Sequence, residues 1–180
     1  MSSSNVGKIF EQEVKDSISD DILVHRVRDD VSSFSGIRNA KYSNKNPFDY
    51  IMWNPLTLTL YALEMKTVKG KSISFERTDE DKGDIHKYQI DGLKKYNRYG
   101  GIVCGFIIHF REIETTVFLS IESFEELTSD ISKKSFTMSD LDKFHISYIK
   151  IPQRRKIKYN HFDMDLFFNE TKLHNTEEII

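Results

Sequence analysis

Residues 46–66, with the sequence NPFDYIMWNPLTLTLYALEMK, constrain the fold more than any other part of the chain. Two apolar runs flank an Asn-Pro break at Asn54, and this pattern predicts a β-hairpin. The segment carries only three charged side chains, Asp49, Glu64 and Lys66. Ionisable groups on an otherwise apolar hairpin cost stability unless something pairs them. The segment therefore predicts a strand pair that carries a polar site.

The position of the turn decides which side chains share a face of this hairpin. A two- or four-residue turn within residues 54–57 would place Asp49 opposite Ala62. Side chains alternate between the faces of a strand, so Asp49, Glu64 and Lys66 are expected to share one face. Asp49 and Glu64 then become diagonal neighbours, roughly 7–8 Å apart at the backbone. Carboxylates at that separation can hold one divalent metal ion or face a phosphodiester.

Composition limits the classes of protein to which this chain can belong. The chain has 180 residues, of which 38% are hydrophobic, so we expect one domain with a substantial core. A net charge of −2 does not mark a nucleic-acid-binding protein as a whole, so any phosphate-binding surface must be local. Cys104 is the single cysteine, which excludes an internal disulfide and a cysteine-rich zinc site.

The sequence shows no feature that predicts a membrane or an exported location. The first residues lack the basic-then-apolar pattern of a signal peptide. The longest apolar run, residues 100–110, is too short to span a bilayer. We therefore expect a cytoplasmic protein without a membrane partner, in a bacterial cell or a phage-infected host.

Periodicity along the chain predicts a small α/β fold with a mixed sheet flanked by helices. Apolar residues at helical spacing predict a first helix along Phe10 and Val14, and Asp84 is expected to cap a second helix from Ile85 to about Tyr99. The apolar run at residues 102–110 predicts a strand that is buried on both faces. We expect a single domain over residues 1–160, followed by a C-terminal helix and a frayed tail over residues 161–180.

A Glu-x-Lys triplet alone carries little information, because this chain contains four of them, beginning at Glu13, Glu64, Glu80 and Glu170. Three of them lie in charged helix, loop or tail segments, where a solvated pair explains them. The triplet at Glu64 closes an apolar strand and has an acid 15 residues upstream on the partner strand. For this triplet we favour a metal site over a structural ion pair.

Four motifs in this order resemble those of the PD-(D/E)xK nucleases. They are GKIFE on the first helix, NPFDY and ALEMK on the hairpin, and HKYQ on the next helix. The chain is most similar to the RecU-like Holliday junction resolvases, and the resemblance covers about residues 5–121. It implies a restriction-endonuclease-like core with a mixed β-sheet between helices.

The resemblance also implies roles for individual residues. Asp49 and Glu64 would bind Mg²⁺ or Mn²⁺, and the backbone carbonyl of Met65 would supply a further oxygen. Lys66 would position or deprotonate the attacking water and stabilise the charge of the transition state. Gln89 would orient the lysine, the water or a phosphate.

Spacing alone does not identify the acid on the first helix. Glu11 and Glu13 flank the apolar stripe on opposite sides, so periodicity does not choose between them. The family pattern places the acid directly after the aromatic residue, which favours Glu11 as a catalytic residue and as a further candidate metal ligand.

These features predict an Mg²⁺-dependent endodeoxyribonuclease that hydrolyses phosphodiester bonds in branched DNA, as a Holliday junction resolvase does, and that acts as a homodimer. A restriction- or repair-type nuclease on duplex DNA and a catalytically silent DNA-binding protein with the same fold are the alternatives. The family's protruding stalk corresponds to a short segment here, residues 28–46. Expected DNA contacts are Arg38, Lys41, Lys45, Lys69, Lys71 and His86.

Overall fold

The computed structural model of the protein describes residues 3–27 and 46–177. It contains five α-helices and ten short or long strands in these ranges. The helices are α1 (Ser3–Lys15), α2 (Lys87–Asn97), α3 (Ile121–Asp130), α4 (Met138–Lys143) and α5 (Met164–Glu177). The strands are β1 (Leu23–Arg26), β2 (Tyr50–Asn54), β3 (Thr59–Val68), β4 (Ser72–Ser74), β5 (Ile102–Phe110), β6 (Thr115–Ser120), β7 (Ser135–Thr137), β8 (Ile149–Ile151), β9 (Gln153–Arg155) and β10 (Asn160–Phe162). None of the described helices has the length and apolar character needed to cross a membrane.

Six of the strands form one central sheet in the order β1-β2-β3-β5-β6-β8. Strands β3 and β5 run parallel, and every other neighbouring pair in this sheet is antiparallel. The parallel pair needs a crossover, and helix α2 supplies it. The predicted mixed α/β fold, with helices packed against a central sheet, is confirmed. The predicted strand at residues 102–110 is β5, and all of it except Ile102 is buried.

Helices cover both faces of the central sheet because its two inner strands are apolar on both sides. On one face, Leu63 of β3 and Ile107 of β5 share a cluster with Phe10 and Val14 of α1 and with aromatic residues of α5. On the other face, alternate residues of the same strands pack against α2, α3 and α4. The core is therefore two layers, and α1 and α2 lie on opposite sides of the sheet.

The β2–β3 hairpin has a different register from the one expected. Asn54 pairs with Thr59, so the turn contains the four residues 55–58, and Ile51 rather than Asp49 pairs with Ala62. The Asn54 side-chain oxygen accepts backbone N–H groups of the turn at 3.0 and 3.4 Å, which carries strand pairing out to Asn54. The shift is two residues, so each side chain keeps its face. Asp49 thereby moves alongside Glu64.

Two predicted helix boundaries are wrong. Helix α2 begins after His86, and Asp84 does not cap it, because the Asp84 carboxylate accepts the backbone N–H and hydroxyl of Ser74 at 3.0 and 2.6 Å. Helix α5 continues to Glu177, through much of the segment for which a frayed tail was predicted. Its Phe167 and Phe168 pack into the core, which explains why the helix forms there.

Helix α2 lies directly on the segment that leads into Asp49. A Cβ atom added at Gly92 would lie 2.0 Å from the Cβ of Pro47 and 3.1 Å from its Cα. Only glycine allows this approach. The contact fixes the distance between α2, which carries Gln89, and the chain just before Asp49.

We predict that Gly92→Ala destabilises the protein, although alanine is normally the better helix former. Forcing the two backbones apart should cost about 1–3 kcal/mol, in the range of other overpacked sites. Gly7→Ala in α1 is the matched control, because nothing lies within 4 Å of the added carbon. It should stabilise the protein by up to about 1 kcal/mol. Urea unfolding followed by circular dichroism measures both, and equal effects would contradict the close approach.

Candidate active site

Four of the side chains expected in the site meet at one end of the central sheet. Asp49 directly precedes β2, and Glu64 and Lys66 lie in the second half of β3. Gln89 lies in the first turn of α2. Helix α2 packs on one face of the sheet, and Gln89 is on that side of β3. The polar site therefore combines a hairpin and a helix N-terminus.

Glu64 is the centre of the contacts within this group. One of its carboxylate oxygens accepts a hydrogen bond from the Gln89 amide at 2.5 Å and lies 3.0 Å from the Lys66 ammonium nitrogen. Its carboxyl also forms a hydrogen bond with that of Asp49. Asp49 in turn accepts the backbone N–H of Met65 at 2.9 Å. Each of the three other side chains thus contacts Glu64 directly.

Burial makes the two carboxyl groups unusually basic. Glu64 is only 3% exposed, and its burial, followed by the negative charge of Asp49, raises its pKa from 4.5 to about 8 despite the opposing Lys66. Burial also raises the pKa of Asp49, against the hydrogen bond from Met65 and the charge of Lys66. The raised pKa of Glu64 favours its protonated form near neutral pH unless a cation takes the proton's place.

Gln89 is held at both ends of its amide. Its carbonyl oxygen accepts the backbone N–H of His86 at 3.0 Å, so its NH₂ group is turned toward Glu64. The side chain is 5% exposed. Gln89 therefore contacts the Glu64 carboxylate in a fixed orientation, and a role towards the lysine, the water or a phosphate stays a prediction.

The structure separates the two acids of α1, between which spacing could not choose. Glu11 lies 3.0 Å from the Arg26 guanidinium, and burial and then the charge of Asp49 raise its pKa. Glu13 points the other way and accepts the backbone and side-chain N–H groups of Asn160 at 2.9 and 3.3 Å. Glu11 is thus the α1 acid that faces the site, and Glu13 holds the strand β10.

Two carboxylates of this site fit a hard divalent cation. Within residues 3–27 and 46–177, no three His, Cys, Asp or Glu side chains lie close enough together to hold a metal ion, so Glu11 does not complete a three-ligand group. Mg²⁺ is commonly bound by one or two carboxylates together with waters and substrate phosphates. The pair of buried Glu64 and half-buried Asp49, whose carboxylates repel each other when ionised, matches that donor set. A metal-binding role for the carbonyl of Met65 stays a prediction.

The residues expected to bind DNA are more scattered. Lys69 is exposed just beyond β3, and Lys71 lies 3.4 Å from Glu112. The ring nitrogen Nδ1 of His86 lies 2.7 Å from Glu76, and 43% of the His86 side chain is exposed. Arg38, Lys41 and Lys45 lie outside the residues that the structure describes.

Two residues at the site were not found by sequence reasoning. Arg26 reaches Glu11 because β1 pairs with β2 in a register that places it opposite Tyr50, beside Asp49. Glu76 accepts the backbone N–H of Lys87 at 2.9 Å and so caps α2. No motif marks either residue, because both contacts depend on pairing between distant segments.

The sequence can be compared with that of a prophage protein. No protein-family model matches the sequence. The SPbeta prophage-derived uncharacterized protein YotM of Bacillus subtilis (strain 168) is 31% identical over 119 residues, which are 66% of this chain and 56% of YotM. The match thus spans little more than half of that protein's length.

One similar solved structure is that of Hjc, a Holliday junction resolvase from the archaeal hyperthermophile Archaeoglobus fulgidus. Its alignment covers 78% of this chain and 93% of that chain, with a TM-score of 0.46 and 13% identity. A likeness at that TM-score carries no argument about this protein. The function proposed below therefore rests on the geometry of the site.

Proposed function

We propose that the protein is a metal-dependent DNA endonuclease that hydrolyses phosphodiester bonds. The observation that carries this proposal is the buried contact of Asp49 with Glu64, with Lys66 3.0 Å from Glu64. A fold that serves only as a scaffold gains nothing from a buried carboxyl group next to a half-buried one. A site that binds Mg²⁺ or Mn²⁺ beside a phosphate uses all three side chains.

The mechanism follows from how the residues are held. Asp49 and Glu64 would hold the cation, which supplies Lewis-acid polarisation of a phosphate oxygen when bound. Lys66 is 17% exposed, so its ammonium can reach an incoming phosphate while it stays next to Glu64. There it would position the attacking water and stabilise negative charge that develops on the phosphate oxygens. Gln89 and the N–H of Met65 keep the two carboxylates in place.

Branched DNA is the substrate that we propose, as for a Holliday junction resolvase. The support is the order of the motifs around Glu11, Asp49, Glu64 and Gln89, which resembles the RecU-like resolvases. Resolution of a four-way junction requires two symmetric cuts, so the proposal includes a homodimer with one site per protomer. Cleavage of ordinary duplex DNA is the second candidate, because the described site contains nothing that selects a junction.

We predict that Mg²⁺ or Mn²⁺ activates nicking of supercoiled plasmid by the wild-type protein. Asp49→Asn and Lys66→Met should each lower the nicking rate by at least about 100-fold, because each removes a group that acts on the reacting phosphate. Agarose-gel assays with and without excess EDTA measure these rates.

The matched controls for this experiment come from another Glu-x-Lys triplet of the same chain. Glu80 and Lys82 are exposed, so Glu80→Gln and Lys82→Met should nick as fast as wild type. Equal activity in Asp49→Asn, Lys66→Met and the controls would contradict the assignment of Asp49 and Lys66 to the catalytic site. No nicking by any of the five proteins would favour a silent DNA-binding protein.

Substrate choice is tested by comparing a synthetic four-way junction with a linear duplex that contains the same arm sequences. We expect faster cleavage of the junction by at least about tenfold, with paired cuts on two opposing strands, because a two-fold dimer presents two sites. Equal rates on both substrates would favour the restriction- or repair-type nuclease.

A further inference from the structure

The two-stranded β9–β10 ribbon, residues 153–162, lies outside the central sheet and is strongly basic. Four of the five residues 154–158 are Arg or Lys, in a chain whose net charge is −2. No other five-residue stretch of the sequence contains four basic residues. Positive charge is therefore concentrated here and nowhere else to the same degree.

These four cations have no ionic partner in the described part of the chain. Arg154, Arg155, Lys156 and Lys158 are all exposed, and no described carboxylate lies within ion-pairing distance of any of them. The Lys156 ammonium lies 5.5 Å from the centre of the Tyr159 ring, which is a cation–π contact and not an ion pair. The four positive charges repel one another, and this repulsion opposes folding. No ion pair within the described residues offsets it.

The tip of the ribbon adds an apolar side chain to this charge. Ile157 is 100% exposed and lies between Lys156 and Lys158, and Tyr159 is 49% exposed. The turn is closed by the backbone N–H of Lys156, which donates to the carbonyl of Tyr159 at 2.8 Å. Isoleucine is a poor turn residue, so it does not serve the turn itself. It is available to a partner.

The base of the ribbon is tied firmly to helix α1. Glu13 accepts two N–H groups of Asn160, and the backbone N–H of Phe162 donates to the Ser17 hydroxyl at 3.0 Å. The Phe162 ring packs edge-on against Phe10, with centroids 5.5 Å apart. The ribbon is thus held in a fixed direction, and a partner need not order it first.

The same helix relates the ribbon to the candidate active site. Glu11 and Glu13 are two residues apart, or about 200° around a helix with 3.6 residues per turn. Glu11 faces Asp49 and Glu13 holds the ribbon, so the two lie on opposite sides of α1. Helix α1 thus contacts the ribbon on one side and directs Glu11 towards the acids of the candidate site on the other.

We propose that the β9–β10 ribbon is a second DNA contact. Its cations bind the phosphate backbone beside the cleaved bond, and Ile157 packs against sugars or base edges in a groove. This inference rests on the proposed function, because the DNA is the one whose phosphodiester reaches Glu64 and Lys66. Nucleic acid is favoured over an anionic membrane because α1 places the ribbon next to the acid site.

The test measures DNA binding in EDTA, so that it does not depend on cleavage. The wild-type protein and Lys156→Gln/Lys158→Gln are titrated against a labelled four-way junction and a labelled duplex, with fluorescence anisotropy as the readout, over a range of salt concentrations. The double variant should bind about tenfold more weakly at low salt, and its log–log salt slope should fall by about 2, near 0.9 per lost phosphate contact.

The matched control is Lys95→Gln/Arg98→Gln, which removes the same charge from exposed positions at the carboxyl end of α2. It should bind within about twofold of wild type, with an unchanged slope. Ile157→Ser should weaken binding about threefold without changing the slope, because it removes an apolar contact and no charge. Circular dichroism confirms that each variant folds.

Three outcomes would overturn the ribbon proposal: equal loss in the ribbon and control variants, a salt slope unchanged in the ribbon variant, or Ile157-dependent binding to phosphatidylserine vesicles with DNA affinity unaffected. A different result would show that the nuclease assignment is wrong and the ribbon proposal is right. The ribbon variant would then bind DNA more weakly than wild type, but the wild-type protein would not cut DNA with Mg²⁺ or Mn²⁺.

Discussion

Two adjacent carboxyl groups, one buried and one half-buried, are the constraint around which this structure is arranged. Glu64 lies in β3 and Asp49 directly precedes β2 of the same hairpin, and burial raises the pKa of both. Such a contact is unfavourable by itself, since each carboxylate loses hydration and repels the other. Lys66, Gln89 and the N–H of Met65 offset part of this cost. A divalent cation would offset the rest.

The surrounding fold keeps these groups from moving apart. Strand β3 pairs with β2 up to Leu63 and with β5 from Leu60 to Val68, so the backbone that carries Glu64 and Lys66 is held by β5. Helix α2 sits close against Pro47 through Gly92, and it carries Gln89. Helix α1 covers the opposite face and sends Glu11 toward the site and Glu13 toward the ribbon. The candidate site and the basic ribbon thus share one framework.

Local patterns in the sequence predict the parts of this framework that depend on neighbouring residues. The apolar run 102–110 predicts β5, and the two runs around Asn54 predict the hairpin and the shared face of Asp49, Glu64 and Lys66. The exact partners on the hairpin are missed, because Asn54 joins the strand pairing and the four-residue turn lies one position later, which shifts the register by two residues.

Features that depend on distant residues are not visible in the sequence. Asp84 is a residue type that often caps helices, but its carboxylate instead accepts a hydrogen bond from Ser74, ten residues earlier in the chain. The choice between Glu11 and Glu13 needs the positions of Arg26 and Asn160, which follow from long-range pairing. The ribbon strands have three residues each, too few to show a period of two.

The location of bound Mn²⁺ tests the central claim most directly. We expect anomalous diffraction from crystals soaked in Mn²⁺ to show a peak between the carboxylates of Asp49 and Glu64, and no such peak in crystals of Asp49→Asn. A wild-type crystal without manganese at these two side chains, or a peak that survives in Asp49→Asn, would contradict the account.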